Sequence, residues 1–471
     1  MNLMFLEDAS WDFTLANYGP VWEILVQIML LLLFLLIGNI LRRKIKLFNK
    51  CLIPSALIGG ACLLIVDLIC RAFNFILVDN SIMQIVTYHA LGIGFAAMTL
   101  KVERKDKTLD KGQVLDNGLM TAGTYMLQGV LGLAITIGLF LLTKNSDNVI
   151  SYICGIILPL AFGQGPGNAL TWDINYTNVL EAQFFGRGSF GLSLASIGFI
   201  VASVIGVTYI NIFKRKGQIV VDEIEEKVTL DLTNLTGNEI PDSESVDKFS
   251  IQLGLVALVY AISFAFMCLL SINSFTNSIA WGFNFIWAAG GAVLVKFVMN
   301  KLKKKKIMHR DYINNYQMDR ISGFAFDLMI VAGVSAIQIN DIKRYIWPIV
   351  ILSIVGTIGT YIYIRLIAKH KFKKFQHEFF VMSYGTLTGT ASNGMILLKE
   401  IDPNLKTPVS NMYIVSTFPA MIFTAPLLLI LSYAGTSFLN ACISLGIITV
   451  LFVVYTIIIF RNKLFHKKNK K

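Results

Sequence analysis

Two stretches hold most of the side chains with chemistry suited to a small polar solute. Residues 162–168 read Phe-Gly-Gln-Gly-Pro-Gly-Asn, and residues 384–394 read Tyr-Gly-Thr-Leu-Thr-Gly-Thr-Ala-Ser-Asn-Gly. Each interrupts apolar sequence with glycines, amides and hydroxyls. A helix broken at such a point leaves N–H groups unpaired at the start of one half and C=O groups unpaired at the end of the other. The N–H end attracts anions such as carboxylates. The C=O end, helped by hydroxyls, suits a hard cation such as sodium. Gly163, Gly165 and Gly167 permit unusual dihedrals and close backbone approach. Pro166 removes a donor and stops the first half-helix, while the Gln164 and Asn168 amides both donate and accept. In the second stretch Thr386, Thr388, Thr390, Ser392 and Asn393 supply oxygens between Gly385, Gly389 and Gly394. Any one of these hydroxyls has a competing use as a bond back to its own helix. As a cluster they suit sodium or a zwitterionic amino acid.

Ionisable residues inside apolar spans are the next candidates. Asp327 lies centrally in an apolar run. It is read as a ligand for sodium or for a substrate amino group, against a structural hydrogen bond to a neighbouring helix. Arg187 follows the first stretch and has the bidentate geometry that fits a carboxylate. The bland reading has it snorkelling from a helix end to the surface. Asp67, His89, Glu23, Lys296 and Arg365 fall near span ends, where interfacial anchoring is expected.

The elements that must position these groups are hydrophobic. Of 471 residues, 55% are hydrophobic and 15% charged, against about 25% charged in an ordinary soluble domain. Runs such as Val21–Leu41 and Cys442–Phe460 approach or reach the ~20 residues that cross a bilayer core. The net charge of +12 gathers in short loops, a pattern of membrane topology and anionic headgroups rather than of nucleic acid. The six cysteines lack metal spacing and are expected as free thiols. The N-terminus has no basic region before the first span, so that span is expected to stay as an anchor.

Eleven spans are expected: Val21–Leu41, Leu52–Cys70, Ile82–Leu100, Asn117–Thr143, Gly186–Ile210, Phe249–Leu270, Ala280–Met299, Ile321–Ile339, Tyr345–Ile367, Met412–Ser432 and Asn440–Phe460. The basic loops after alternate spans put the N-terminus outside and the C-terminus in the cytoplasm. Val149–Phe162 is too short to span, and with the glycine stretch it reads as a re-entrant hairpin. The fold class is therefore all-α and multi-pass, about 11 transmembrane helices in two inverted repeats of five spans plus a hairpin each. Residues 1–20 form an external N-terminus and 21–216 the first repeat, with its hairpin near 149–185. An acidic cytoplasmic linker spans 217–248, expected to be a plain spacer. The second repeat covers 249–432, with its hairpin near 378–402. An extra span, 440–460, and a basic tail, 461–471, complete the chain. Inverted repeats with broken helices are the architecture of alternating-access carriers.

On these motifs the chain resembles the bacterial sodium/glutamate symporter family. The resemblance rests on Gly163–Ala169, on Gly385–Asn393, on Ile53-Pro54 followed by Gly59-Gly60, and on the acidic central linker. It implies a homodimeric carrier in the bacterial inner membrane, with a scaffold and a moving transport domain that bears both hairpins. It also implies sodium-coupled uptake of L-glutamate, with sodium as coupling ion and no other cofactor. Arg187 and Asp327 have no counterpart placed in that family, and from the residues' own chemistry substrate contacts are expected from Gln164, Gly165, Gly167, Asn168, Arg187, Thr390, Ser392 and Asn393. Sodium contacts are expected from Asp327, Thr386, Thr388, Thr390 and Asn393. Family members often carry histidine and threonine where Gln164 and Pro166 stand, which keeps a di- or tricarboxylate open as substrate.

Other classes fit less well. A sodium/proton antiporter would place paired carboxylates, or a carboxylate and a lysine, centrally, and only Asp327 is clearly central. A channel needs a filter or continuous polar stripe. An enzyme needs a catalytic constellation, and the histidines are scattered, with His309, His370, His377 and His466 expected in basic loops.

Overall fold

Apolar sequence with few charges folds here into helices throughout. The computed structural model describes residues 15–102, 109–145, 149–179, 187–219 and 247–466, and every regular element among them is helical. The first part forms α1 (Leu15–Lys44), a short α2 (Lys46–Lys50), α3 (Ser55–Ala72), α4 (Asn80–Leu100) and α5 (Lys111–Thr143). A broken pair follows, α6 (Leu158–Gly163) and α7 (Pro166–Val179), and then α8 (Ser189–Arg215). The next part forms α9 (Lys248–Leu270), α10 (Ser274–Gly282), α11 (Asn284–Lys304), α12 (Asn315–Ser335), the single turn α13 (Ile339–Ile342) and α14 (Ile346–Lys371). A second broken pair, α15 (Gln376–Thr388) and α16 (Ala391–Lys399), precedes α17 (Val409–Ala434) and α18 (Phe438–His466). The residues expected as external N-terminus and acidic linker lie largely outside the described residues, as do 467–471 of the basic tail and the end of the first expected hairpin, whereas residues 461–466, expected in the tail, continue α18.

Among the described residues ten helices are long and apolar enough to cross a membrane, as in a multi-pass membrane protein. Eleven spans are expected from the sequence, and the difference is α12. It is a full-length helix, but it starts before Ile321, stops short of Ile339, and carries Asp319, Arg320 and Asp327. The expected span Ala280–Met299 is also divided, because α10 ends at Gly282 and α11 begins at Asn284. Trp172 of α7 presses on that point. Its ring lies 5.0 Å from the Phe283 ring and would stand 3.2 Å from a Cβ on Gly282. The Asn284 side chain turns away to donate to the Tyr88 carbonyl at 2.8 Å.

The long helices pack in two groups. One joins α1, α3, α4, α9, α11 and α12, and the other joins α5, α14, α17 and α18. The broken pairs and α8 lie between them: α7 meets α4 and α12, whereas α6 and α15 meet α5 and α14. The Gly59-Gly60 pair does what small residues do at helix contacts. A Cβ on Gly59 would stand 2.3 Å from the Phe34 carbonyl oxygen of α1, and Gly60 faces Val331 and Val334 of α12. Asp67, expected as an interfacial anchor, clamps a loop instead. It accepts from Arg71 Nε at 2.6 Å and from Val78 N at 2.9 Å. All six cysteines are free thiols.

One buried carboxylate ties three helix ends together. Asp116 of α5 meets Lys371 of α14 at 3.2 Å and Arg461 of α18 at 3.1 Å. Removing the carboxylate leaves both cations without this partner. For Asp116→Ala we expect a loss of about 2–3 kcal/mol, below the ~3–5 of a fully buried pair, because the Arg461 side chain is 35% exposed. Thermal unfolding in detergent measures it, and an unchanged midpoint would remove the triad from the account of stability.

Candidate functional site

The first break is made by its own residues. Gln164 leaves the helical region at φ −120°. Gly165 sits at φ +90°, a left-handed conformation that glycine adopts without a Cβ clash. Pro166 then opens α7, where its missing N–H is one of the unpaired ones in any case. In the second break α15 stops at Thr388, Thr390 is extended (φ −142°, ψ 168°), and α16 begins without a side-chain cap. The N–H groups of Ala391, Ser392 and Asn393 precede the first intrahelical bond, from Gly394 N to Thr390 O at 3.1 Å.

Glycines let the arms close on one another. A Cβ on Gly385 of α15 would stand 2.8 Å from Gly394 Cα, and one on Gly394 would stand 2.4 Å from the Met382 carbonyl oxygen. The two breaks also meet. Thr390 Cγ2 and Met329 Cε each lie 3.6 Å from the position of a Cβ on Gly165, and Gly167 rests against Met329 Sδ and Leu91. Both breaks lean on α8, where Gly198 admits the Thr388 carbonyl oxygen to 2.4 Å of its absent Cβ, with Phe162 at 3.2 Å.

The polar atoms at this junction are incompletely paired. Asn168 Nδ2 donates to Gln164 Oε1 at 3.0 Å, but Asn168 Oδ1, Thr390 Oγ1 and Asn393 Nδ2 are buried without a partner. Asn168 is 1% and Asn393 4% exposed. A buried polar group left unpaired costs ~1–3 kcal/mol, so an amide oxygen, an amide nitrogen and a hydroxyl left unpaired on the two broken pairs are suited to a polar guest. Gln164 is half-buried and Ser392 exposed, so the junction reaches the protein surface.

The remaining expected residues are placed differently. Thr386 and Thr388 donate back to their own helix, to Met382 O at 2.8 Å and Tyr384 O at 2.7 Å, as isolated helical hydroxyls do. Asp327 is not brought to the junction. It precedes Met329 by two residues and so points about 200° around α12 from it, and the charge acting on it is that of Arg42 on α1. Arg187 is exposed, at φ 45°. Its carbonyl accepts from Gln84 Nε2 at 3.0 Å, and its charge acts on Asp341. His370 and His377, expected in basic loops, lie in α14 and α15. His377 is buried and hydrogen-bonds the Tyr209 hydroxyl at 2.9 Å.

Three residues escaped sequence reasoning. Tyr125 and Gln128 lie about one turn apart on α5. The Tyr125 hydroxyl donates to Gly163 O at 3.0 Å, and Gln128 Nε2 donates to Leu387 O at 2.9 Å. One helix thus supplies partners to the carbonyl ends of both breaks. The third is Asp173 of α7, fully buried, whose carboxylate accepts from Gly191 N at 2.9 Å in the first turn of α8. A polar residue inside an apolar helix was the available signal for Gln128, but its partner lies 259 residues away. For Gln128→Leu, which leaves the buried Leu387 carbonyl unpaired, we expect about 1–3 kcal/mol of lost stability, with Gln128→Glu less well tolerated than the parent. A thermal midpoint unchanged by Gln128→Leu would mean that the carbonyl finds another partner.

No family model matches the chain, and no curated protein matches it.

Proposed function

We propose that the protein is a secondary active transporter that takes up an anionic amino acid, L-glutamate in the first instance, coupled to sodium. The observation that carries this reading is that Asn168 Oδ1, Thr390 Oγ1 and Asn393 Nδ2 are buried and unpartnered on two broken pairs that meet through Thr390 and Gly165. The uncapped start of α16 offers N–H groups to a carboxylate. Amide, hydroxyl and carbonyl oxygens nearby suit sodium, which hard oxygen ligands bind without a carboxylate cluster. In this reading Gln164, Gly165, Gly167, Asn168, Thr390, Ser392 and Asn393 hold the substrate, and Thr390 and Asn393 share in the ion site.

The order of elements supports two repeats. Four long helices, a broken pair and one long helix occur twice in succession, before α18. We take the repeats as inverted and the broken pairs as re-entrant hairpins. The N-terminus is then outside and the C-terminus in the cytoplasm, because α1, α8, α11 and α14 all end in basic residues. A bacterial inner membrane, a homodimer and an elevator-type movement of the hairpin-bearing part belong to the same reading. A sodium-coupled di- or tricarboxylate carrier is the alternative on the same scaffold.

Uptake of labelled L-glutamate into proteoliposomes tests it, with an inward sodium gradient and with potassium in its place. Sodium-dependent accumulation, competed by glutamate and not by citrate or malate, is expected. Competition by citrate or malate alone would move the substrate to the carboxylate class, and no accumulation of any of them would end the transport reading. For Asn393→Ala or Asn168→Ala, each removing a hydrogen bond to a charged guest worth about 1.5–3 kcal/mol, uptake at sub-saturating glutamate should fall by roughly one to two orders of magnitude. Asp327→Asn, which lies away from the junction, should change it by less than about twofold. The reverse pattern would transfer the ion site to α12.

A further inference from the structure

The two oxygens of the Asp173 carboxylate on α7 are treated differently. The residue is 0% exposed. Oδ2 accepts from Gly191 N at 2.9 Å, with the N–H groups of Gly188 and Phe190 beside the carboxylate. It thus clasps the start of α8, where the helix dipole favours a negative group. Oδ1 is buried without a partner.

Among the described residues no basic side chain pairs with Asp173, and the charge that acts on it is that of another carboxylate, the half-buried Asp341. The loop between α7 and α8, outside the described residues, contributes Glu181 and no cation. The basic groups nearest in the chain have other partners. Arg187 acts on Asp341, and Arg344 donates to Val149 O at 2.7 Å. Cys154 and Tyr345 feel the Asp173 charge. The Cys154 thiol donates to Ser151 O at 3.1 Å, and the Tyr345 ring meets Phe190 edge to face at 5.6 Å. The hydroxyls of Ser151 and Tyr345 are themselves buried without partners. The other helices packed against α7 add no counter-charge. His89 of α4 is bonded to the Tyr260 hydroxyl. On α12, Asp319, Arg320 and Asp327 are engaged with Lys101, Tyr316 and Arg42. The short helices α6 and α10 have no ionisable side chain.

A carboxylate removed from water without a counter-charge takes up a proton more readily than one in solution, and a second negative charge adds to that tendency. The N–H groups of α8 oppose it by favouring the anion. We propose that Asp173 is a proton-binding site: on mild acidification Oδ1 takes a proton from solvent while Oδ2 stays at Gly191 N, and the clasp between α7 and α8 weakens. One O–H bond forms and the carboxyl becomes neutral. A charge-assisted hydrogen bond is roughly twice as strong as a neutral one, so the clasp is tight above the titration and loose below it. The surrounding N–H groups present their positive ends, which a neutral acid tolerates and a metal cation does not. Because α7 also carries Gly167 and Asn168, the clasp borders the arm that reaches the junction. The inference holds independently of the solute carried.

Infrared difference spectra of the full chain in dodecyl maltoside, between about pH 8 and about pH 6, test it, since an exposed aspartate stays ionised over that range. A carboxylic C=O band is expected at the lower pH and is expected to be missing in Asp173→Asn, which keeps an oxygen for Gly191 N. Amide hydrogen exchange, corrected for the intrinsic effect of pH, reads the clasp. Protection at residues 188–191 should fall several-fold on acidification of the parent, and should be low at both pH values in Asp173→Asn. The parent's exchange profile stands even where the variant fails to fold. No band, a band that persists in Asp173→Asn, or protection indifferent to pH would each overturn the proposal. So would a band that sodium chloride suppresses and choline chloride does not, since a metal cation would then hold the carboxylate.

Discussion

Backbone that leaves the helical path inside an apolar bundle has to find its hydrogen-bond partners in protein, because lipid offers none. Much of this structure answers that constraint. The carbonyl ends of the two breaks are met by Tyr125 and Gln128, both on α5. The broken arms approach closely because Gly198, Gly385 and Gly394 have no side chain to hold them apart. Asp173 serves the N–H groups at the start of α8. After these provisions Asn168 Oδ1, Thr390 Oγ1 and Asn393 Nδ2 stay buried and unpaired on the broken pairs, and that is what makes the junction a candidate site.

The same helix organises more than the breaks. At one end of α5, Asp116 gathers Lys371 and Arg461. Near the other, Thr136 donates to Tyr152 O at 2.8 Å and accepts from Gly155 N at 3.2 Å. Between them Gly132 and Gly155 touch backbone to backbone. α5 is thus the element against which α6, α14, α17 and α18 are all located, and its polar residues are used for attachment.

The helical character and the breaks were legible because they depend on local sequence. Long apolar runs give helices, and the breaks fall at Gly165-Pro166 and at Gly389-Thr390. The division at Phe283 was not legible, since the contact made there is with Trp172 of another helix. Nor was the difference between Asn393, whose amide nitrogen is unpartnered, and Thr386 and Thr388, whose hydroxyls are absorbed by their own helix. All three look alike in a string of polar residues. Asp327 drew notice as a charge in the middle of an apolar run, but two residues along a helix reverse a side chain's direction, and Met329 faces the breaks instead. Tyr125, Gln128 and Asp116 carry no local signature that names distant partners.

The attachments along α5 also act as a depth gauge. From Asp116 to Thr136 is about 30 Å of helix, close to the thickness of a hydrocarbon core. Tyr125 and Gln128 fall about 13–18 Å along that length, roughly halfway. The two breaks therefore hang from the middle of a ruler whose ends are marked by an ion triad and a hydroxyl. One residue inserted between Asp116 and Tyr125 would turn everything beyond it by about 100°. The charged end and the broken helices could then no longer be satisfied by the same strut. Where the two breaks sit along the bundle is set by counting residues along a single helix.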